Sequence, residues 1–534
     1  MKTNLYKVCL LVVSFCLVSC EGLLDEKIYD FRTESNFYKT EADFFTAITG
    51  AYAGLQEHNY FRNVYFSLLE GCTGQTTNNA GSKERYTKTY TSTYGDVQNL
   101  WKCVYANINI CNDIILGISN NTEVSDDIKN AYIGEAKFLR AMDYFNLVRI
   151  YGALPLRQEP SQGFANAFME RTSEEEVYDL IIDDLKFAMS VLPDKSPDAG
   201  RATKGAATGL LAKVYLTLAS TSKYEENINK RYAFASNSIQ KYYTYARDYA
   251  LTIVESEQYS LLEDYSYLWD LKHENSKESL FEVQFIRQST GNGMNIPQLI
   301  MPSASGRCGL KGNGWSSYRS TKYAYDEFDK GDYRIESTFL GGADGIWEKL
   351  TNGIPNGKTG KCYPASKTGT TQWPLLGKYQ DPFADTANNH ECNFIYLRYA
   401  DILLILAEAE NEINPLSDVA YDAINKVRAR ARLAGSTVNA IPADYENISS
   451  QDEFRQLVWK ERRLELNSEC HLWYDLIRTG QYKIYLDAYN AHPQNTAKDI
   501  EMPFYERNLL FPIPADEISN NESISISDQN PGHV

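Results

Sequence analysis

The stretch Arg398–Gly435, RYADILLILAEAENEINPLSDVAYDAINKVRARARLAG, limits what this chain can fold into more than any other. Leu403, Leu406, Ala407 and Glu410 recur at three- and four-residue spacing, as one face of an α-helix requires. Asn414-Pro415 ends that helix, because proline has no amide donor and drives its predecessor out of helical geometry. Ser417 is placed to cap a second helix, whose apolar stripe is Ala420, Ile424 and Val427. Lys426, Arg428, Arg430 and Arg432 fall in its last turns, where the helix dipole favours cations, and Gly435 is a stop signal. Two helices joined this closely form an antiparallel hairpin. Counted from Asp401, residues Leu404, Ala407, Ala420, Ile424 and Val427 occupy tetratricopeptide positions, while Glu408, Asn411 and Arg432 depart from that pattern.

Further helical patterns surround this hairpin. Ala42–Leu55 carries Phe45, Ile48 and Tyr52 at helical spacing, and Leu100–Ile118 aligns Trp101, Val104, Tyr105, Ile108 and Cys111. Asp127–Ile150 buries Phe138, Met142 and Phe145 and is stopped by Gly152 and Pro155. Glu174–Leu192 carries Val177, Leu180, Ile181 and Leu185 on one side. Thr203–Ala219 (Ala207, Leu210, Leu211, Val214, Leu218) pairs with Tyr242–Ser256 (Tyr245, Tyr249, Ile253). Ser450 and Glu453 form a capping box that opens Gln451–Leu466, and His471–Thr479 follows. Trp459 and Trp473 sit in amphipathic patterns and are assigned to the core. Repeated helical hairpins in one chain favour a stack in which each pair buries a face against the next.

Two segments break this regularity. Residues 71–99 are rich in Gly, Thr, Asn and Tyr, and residues 283–393 are rich in glycine with Trp315, Tyr318, Trp347 and Trp373 among them. A loop-rich stretch as long as the second is uncommon without a binding purpose. The chain has 39 Tyr and 7 Trp, more aromatic surface than a core needs and suited to stacking on something flat.

The N-terminus carries Lys2 and Lys7, then a short apolar core Val8–Val18 that is too short to span a bilayer, then Leu17-Val18-Ser19-Cys20. This resembles a bacterial lipobox: residues 1–19 are read as a lipoprotein signal peptide, Cys20 as the lipidated residue, and 20–534 as a single domain anchored to a membrane rather than inserted in it. Losing residues 1–19 removes two lysines and no acid, taking the formal charge from −17 to −19. Such a chain has no basic surplus to displace counterions from phosphates, which argues against a nucleic-acid partner. Of the ten cysteines, Cys72, Cys103, Cys111, Cys308, Cys362, Cys392 and Cys470 remain. They are widely spaced, odd in number and without a CxxC pair, so neither a zinc site nor a disulfide framework is indicated, though one or two bridges stay open.

Glu135–Phe145 with Tyr151-Gly-Ala-Leu-Pro155, Arg201–Ala207 through Tyr215-Leu216, Arg398–Ile402 through Glu408-Ala-Glu410, Ala423–Arg430, Glu461–Glu465 with Trp473–Arg478, and Leu510–Pro514 with Asn530-Pro531-Gly532 together resemble the SusD/RagB family of Bacteroidetes. The match runs in order from the lipobox to the C-terminus. The resemblance implies a mainly α fold with four tetratricopeptide-like helix pairs, helical blocks at about 42–282 and 394–480, and a loop-rich ligand-binding insertion at about 283–393. It implies a surface-exposed, lipid-anchored protein of the outer membrane that hands nutrients, usually glycan oligosaccharides and sometimes peptides, to a SusC-like TonB-dependent transporter. Neither a cofactor nor a metal is implied.

Catalysis has no motif to rest on. A glycosidase needs two carboxylates at a defined separation, one with a raised pKa, and none of the 70 acids is marked in that way. Glu408 and Glu410 read as structural. Glu461 and Glu465, with Arg462 and Arg463 between them, read as a helix ion-pair network. The six histidines form no metal pattern. Sugar binding needs aromatic faces for the C–H faces of sugar rings and polar side chains for the hydroxyls. The candidates are therefore Trp315, Tyr318, Trp347 and Trp373 in the long segment, with Tyr94, Asn78 and Arg85 in the earlier one. For each ring, burial in the core is the competing role. The alternatives are an oligopeptide ligand on the same scaffold, a structural lid, or a secreted glycoside hydrolase.

Overall fold

The computed structural model describes residues 37–78, 88–224, 231–287, 293–301, 314–315, 317–340, 346–351, 354–361, 374–379, 381, 383–384, 388–492 and 501–533; for 77–78, 346–351 and 354–361 only the backbone is described. The signal peptide 1–19, Cys20, Arg85, Trp373, Cys308 and Cys362 lie outside the described residues.

Helices dominate. In chain order the principal ones are α1 (Glu41–Leu55), α2 (Val64–Gly71), α3 (Gly95–Ser119), α4 (Asp126–Tyr151), α5 (Glu174–Val191), α6 (Lys204–Tyr224), α7 (Ile239–Glu255), α8 (Tyr399–Ile413), α9 (Asp418–Ala431), α10 (Gln451–Glu465), α11 (Leu472–Arg478) and α12 (Tyr482–Ala491). From α3 to α7 each helix packs on its successor, and α8 docks on α7 although more than a hundred residues separate them. The stack thus resumes on the far side of the loop-rich segment. Helices α4, α6 and α8 are central to it: from Ile133, Gly205 and Tyr399 onward, almost every side chain is buried, on all faces. A helix enclosed in this way shows no clean polar side.

The opening hairpin forms as its sequence dictates. Ser417 accepts the Ala420 amide at 3.3 Å and caps α9, and Leu416 turns the chain at φ +58°. At α10, Ser450 accepts the Glu453 amide at 3.1 Å, but the Glu453 carboxylate returns to the amide of Ser449 rather than to that of Ser450. Gly152 stops α4 at φ +75°, a conformation that L side chains rarely adopt.

Two helical stripes are rotated from their expected faces. In α1 the buried residues are Phe44, Ile48, Ala51 and Leu55, and Phe45 is 45% exposed. Both stripes share Ile48, and contact with α3 and α4 selects between them. In α7 the buried residues are Tyr243, Ala246, Ala250 and Ile253, while Tyr245 and Tyr249 flank Tyr215 of α6 at 4.9 and 5.8 Å. Small alanines let α7 approach its neighbours closely, so the tyrosines move to the seam. Trp459 and Trp473 are buried, as expected.

The strands are short and all antiparallel pairs: β1 (Thr76–Asn78) with β3 (Tyr318–Ser320), β2 (Ser279–Val283) with β6 (Phe394–Arg398), β4 (Ile346–Thr351) with β5 (Ile354–Lys361), and β7 (Leu433–Ala434) with β8 (Thr437–Val438). The β2–β6 pair sets Val283 opposite Phe394, so the loop-rich segment leaves and re-enters the helical stack through one two-stranded stem.

Glu461 and Glu465 do form an ion-pair network, but not with Arg462 and Arg463. Glu461 takes Arg334 and Arg428, both at 2.6 Å; Glu465 takes Arg334 at 3.1 Å, Arg398 at 2.7 Å and Arg430. Arg462 turns to Asp401 and Asp475, and Arg463 to Glu327. The two glutamates lie four apart on the buried face of α10, where no water screens them, so partners must come from facing elements. The surrounding guanidinium groups hold the Glu465 carboxyl well below its usual range. Glu408 is likewise structural, held by Arg478 at 2.5 and 2.8 Å. Among the described residues, Cys72, Cys103, Cys111, Cys392 and Cys470 form no disulfide with one another.

Candidate functional site

The two irregular segments named in the sequence meet. Strand β1, at the end of α2, pairs with β3 in the register Thr76–Ser320, Thr77–Arg319 and Asn78–Tyr318. Two candidate ligand residues, Asn78 and Tyr318, are thus direct cross-strand partners. The junction is pinned from behind. The Thr321 amide donates to the Gln75 carbonyl at 2.9 Å, the Ser468 amide to the Gln75 side chain at 3.0 Å, and the Cys470 amide to Glu70 at 2.7 Å. Burial pushes the Glu70 carboxyl up to about 7, against the opposing pull of that amide.

Tyr318 is not available as a ligand platform. It is 1% exposed, its ring stands edge-on to Phe66 at 5.7 Å, and its hydroxyl donates to the Ser67 carbonyl at 3.2 Å. The Tyr318 side chain itself faces α2, which drives its ring into the core, and composition could not reveal that. Tyr94 is half-buried: it is the N-cap residue of α3, and its ring packs against the core. Trp347 lies on β4 opposite Gly360, with only its backbone described, as for Asn78.

Trp315 is different. It is 57% exposed, and no hydrogen bond or ring contact engages its indole among the described residues. Its backbone is nonetheless fixed. The Trp315 amide donates to the Gln298 carbonyl and the Ser317 amide to the Leu299 carbonyl, both at 2.7 Å, along the short helix Ile296–Ile300. A Cβ on the preceding Gly314 would lie 2.4 Å from the Met301 carbonyl oxygen, so only glycine allows this approach.

Met301 packs on Ala384, which brings in a residue that the sequence did not single out. Phe383 is 47% exposed. Its amide donates to Asp381 at 2.9 Å, its carbonyl accepts from Arg287 at 2.6 Å, and that guanidinium lies 6.0 Å from its ring. Arg287 is itself held by Glu391 and Asp381. Two exposed aromatic rings on fixed backbone, with an oriented arginine and carboxylates alongside, can stack on flat apolar faces and hydrogen-bond hydroxyl groups. Phe383 carried no signal of its own in the sequence beyond its place in the irregular segment.

Among the described residues, no group of three or more His, Cys, Asp or Glu could hold a metal ion. No described helix is long and apolar enough to cross a membrane.

The whole is a helical stack that carries an irregular, aromatic-bearing segment on a two-stranded stem. The profile described as "SusD family" matches residues 277–533, and one described as "Starch-binding associating with outer membrane" matches residues 24–216. Over these two stretches the chain is similar to SusD-family proteins. It is 28% identical to SusD-like protein P2 of Formosa agariphila, over 99% of each chain. The fold matches a SusD homologue of Bacteroides thetaiotaomicron with a TM-score of 0.77 at 25% identity, covering 94% of this chain and 99% of the other. It also matches a laminarin-binding SusD-like protein, with a TM-score of 0.68 at 23% identity over 93% of this chain and all of that one.

Proposed function

We propose that this protein is a surface lipoprotein of the outer membrane that captures glycan oligosaccharides. It is anchored through Cys20 and passes its ligand to a SusC-like TonB-dependent transporter. The observation that carries the binding role is the exposed indole of Trp315, unengaged among the described residues, on a backbone fixed at Gly314, Gln298 and Leu299. A large apolar ring left in water by a rigid segment is the form an aromatic platform takes. The similarity to SusD-family models and the shared fold of a laminarin-binding SusD-like protein support a carbohydrate as what it meets. The tetratricopeptide-like helix pairs serve as the frame, and residues 283–393 supply the recognition surface.

The test is calorimetric titration of residues 21–534 with a panel of neutral oligosaccharides and peptides. Binding to one glycan class without turnover, weakened by Trp315→Ala, supports the reading. Peptide binding with no glycan binding sinks it.

A further inference from the structure

Strand β3 carries a charge that nothing in the fold answers. Successive side chains of a strand point to opposite faces. Tyr318 and Ser320 point inward, where their hydroxyls reach the carbonyls of Ser67 and Gln75. Arg319, between them, is directed to the other face, opposite Thr77 of β1. Its backbone is held from both sides: β1 pairs along one, and the Ser320 amide donates to the Pro374 carbonyl at 2.9 Å on the other. Arg319 lies four residues beyond Trp315 in the chain, so their Cα atoms are no more than about 14 Å apart. A short oligosaccharide spans that distance.

The Arg319 side chain is half-buried, and its Nε is shut off from water with no acceptor. Among the described residues, no hydrogen bond or ion pair engages the guanidinium. Other withdrawn arginines are answered: Arg140 by Asp184, and Arg201 by Glu135. Even Arg149, which meets no carboxylate, donates to the Phe145 carbonyl and to Asn146. Burial acts on all of these groups, but at Arg140 and Arg201 the carboxylates outweigh it and raise the pKa. At Arg319 burial acts alone and lowers it. A guanidinium stays ionised even so, which leaves a permanent, uncompensated cation on a chain whose formal charge is −17. Arg287, beside the exposed ring of Phe383, is already taken by Glu391 and Asp381 and leaves no such charge. A donor stripped of water without an acceptor costs free energy, and the missing acceptor is what a ligand would supply. The planar fork of arginine matches a carboxylate or a sulfate through two parallel hydrogen bonds, whereas a neutral hydroxyl leaves its charge unanswered.

We propose that Arg319 makes the Trp315 site selective for an acidic glycan: one sugar ring stacks on the indole while a uronate carboxylate or a sulfate ester on a nearby unit takes the guanidinium. The proposal rests on the platform reading of Trp315 and names the substrate class of that site.

Affinity electrophoresis of residues 21–534 is run in gels holding pectate, alginate, κ-carrageenan or fucoidan, each beside its carboxyl-reduced or desulfated counterpart, with laminarin and xyloglucan as neutral glycans. At least one acidic polysaccharide should retard the protein, with an affinity roughly tenfold or more above that of its neutralised counterpart. Whether reduction or desulfation removes the retardation separates a carboxylate from a sulfate ligand. The acidic chain repels polyanions at long range, so general charge attraction does not produce this result. Arg319→Met should bring the affinity for the acidic polymer down to that for the neutralised one, and Arg319→Lys, a cation without the fork, should keep part of it. Neither variant should unfold at a lower temperature than the parent, because neither loses an ion pair. Retardation by neutral glycans alone, equal retardation by acidic and neutralised forms, none by any acidic polymer, or full affinity in Arg319→Met overturns the proposal. Lower unfolding temperatures in both variants would make Arg319 structural and overturn it too. Binding lost in Trp315→Ala but indifferent to Arg319→Met sinks this inference alone; binding that needs Arg319 but not Trp315 sinks the platform reading.

Discussion

Arg334 and Glu461 form an ion pair at 2.6 Å with neither side chain exposed, although 127 residues separate them in the chain. The pair joins the loop-rich segment to α10. Around it, Asp332 holds Arg334 at 2.7 Å, Lys378 reaches Glu469 at 2.8 Å, and Glu278 binds Arg398 at 3.0 Å and Arg430 at 2.6 Å. Glu278, Arg334 and Lys378 come from the β2 approach and the loop-rich segment; Arg398, Arg430, Glu461, Glu465 and Glu469 come from the second helical block. The irregular part is thus fastened to the stack by buried charges as well as by the β2–β6 stem. Breaking one member of such a set leaves its partners charged and unsolvated.

Arg334→Met should therefore destabilise the chain by about 3–5 kcal/mol, the range for removing one partner of a buried ion pair. Glu461→Gln, which leaves a hydrogen-bonding amide, should cost less. The two changes should not add, because Arg334 also serves Glu465. Denaturant unfolding of the two single variants and the double variant measures this. Strict additivity would show that the cluster does not act as a unit.

Asp143 of α4 gives a pH dependence of known sign. Burial pushes its carboxyl up to about 7, despite hydrogen bonds from Tyr60 at 2.7 Å and Asn107 at 2.8 Å. The folded state holds this proton more tightly than the unfolded state, whose carboxyl has the ordinary value of 3.8. Its contribution to stability is thus complete below about pH 4 and is lost as pH rises through about 7. The unfolding free energy of the parent relative to Asp143→Asn should fall as pH rises from 4 to 7. A relative stability of the parent that instead rises with pH contradicts this.

His471 has the opposite sense. Burial first, and then the Lys213 ammonium at 2.9 Å, push its imidazole down to about 3. Lys213 also donates to Asp401 at 2.9 Å, so a neutral ring accepting at Nδ1 completes the set. The folded state then declines a proton that the unfolded state takes below about 6.5, and stability is lost as pH falls from 6.5 towards 3. In histidine-labelled protein, the His471 carbon signal should stay flat between pH 8 and 5. A midpoint near 6.5 would refute a neutral, accepting ring.

The helices could be read from the sequence because their caps and periodicity are local: Asn414-Pro415, Ser417 and Gly152 act within a turn of their own positions. What could not be read depended on distant partners. The choice between Phe44 and Phe45 as the inward face of α1 is made by α3 and α4, and the partners of Glu461 are supplied by residues 33 and 127 positions away. The candidate site divides in the same way. Composition drew attention to Trp315 and Tyr318 alike; only the pairing of β3 with β1 shows that one ring is core and the other faces solvent. Phe383 has no local signal, because its exposure follows from the Met301–Ala384 contact and from the hold of Arg287 and Asp381.

If Trp315 and Phe383 act as one platform, its geometry must depend on Gly314. A methyl group there meets the Met301 carbonyl at 2.4 Å, and relief of that contact shifts the Trp315 backbone away from Gln298 and Leu299. Gly314→Ala should then weaken oligosaccharide binding although it removes no contacting atom. Trp315→Ala should cost about 2 kcal/mol, or roughly thirtyfold in Kd, as expected for an aromatic anchor. Phe383→Ala should cost less, because its carbonyl and amide remain held by Arg287 and Asp381 and only the ring is lost. Calorimetry on the three variants against the same oligosaccharide decides the matter. Loss in Trp315→Ala with full binding in both others would reduce the platform to a single ring, whereas loss in all three places Phe383 beside it.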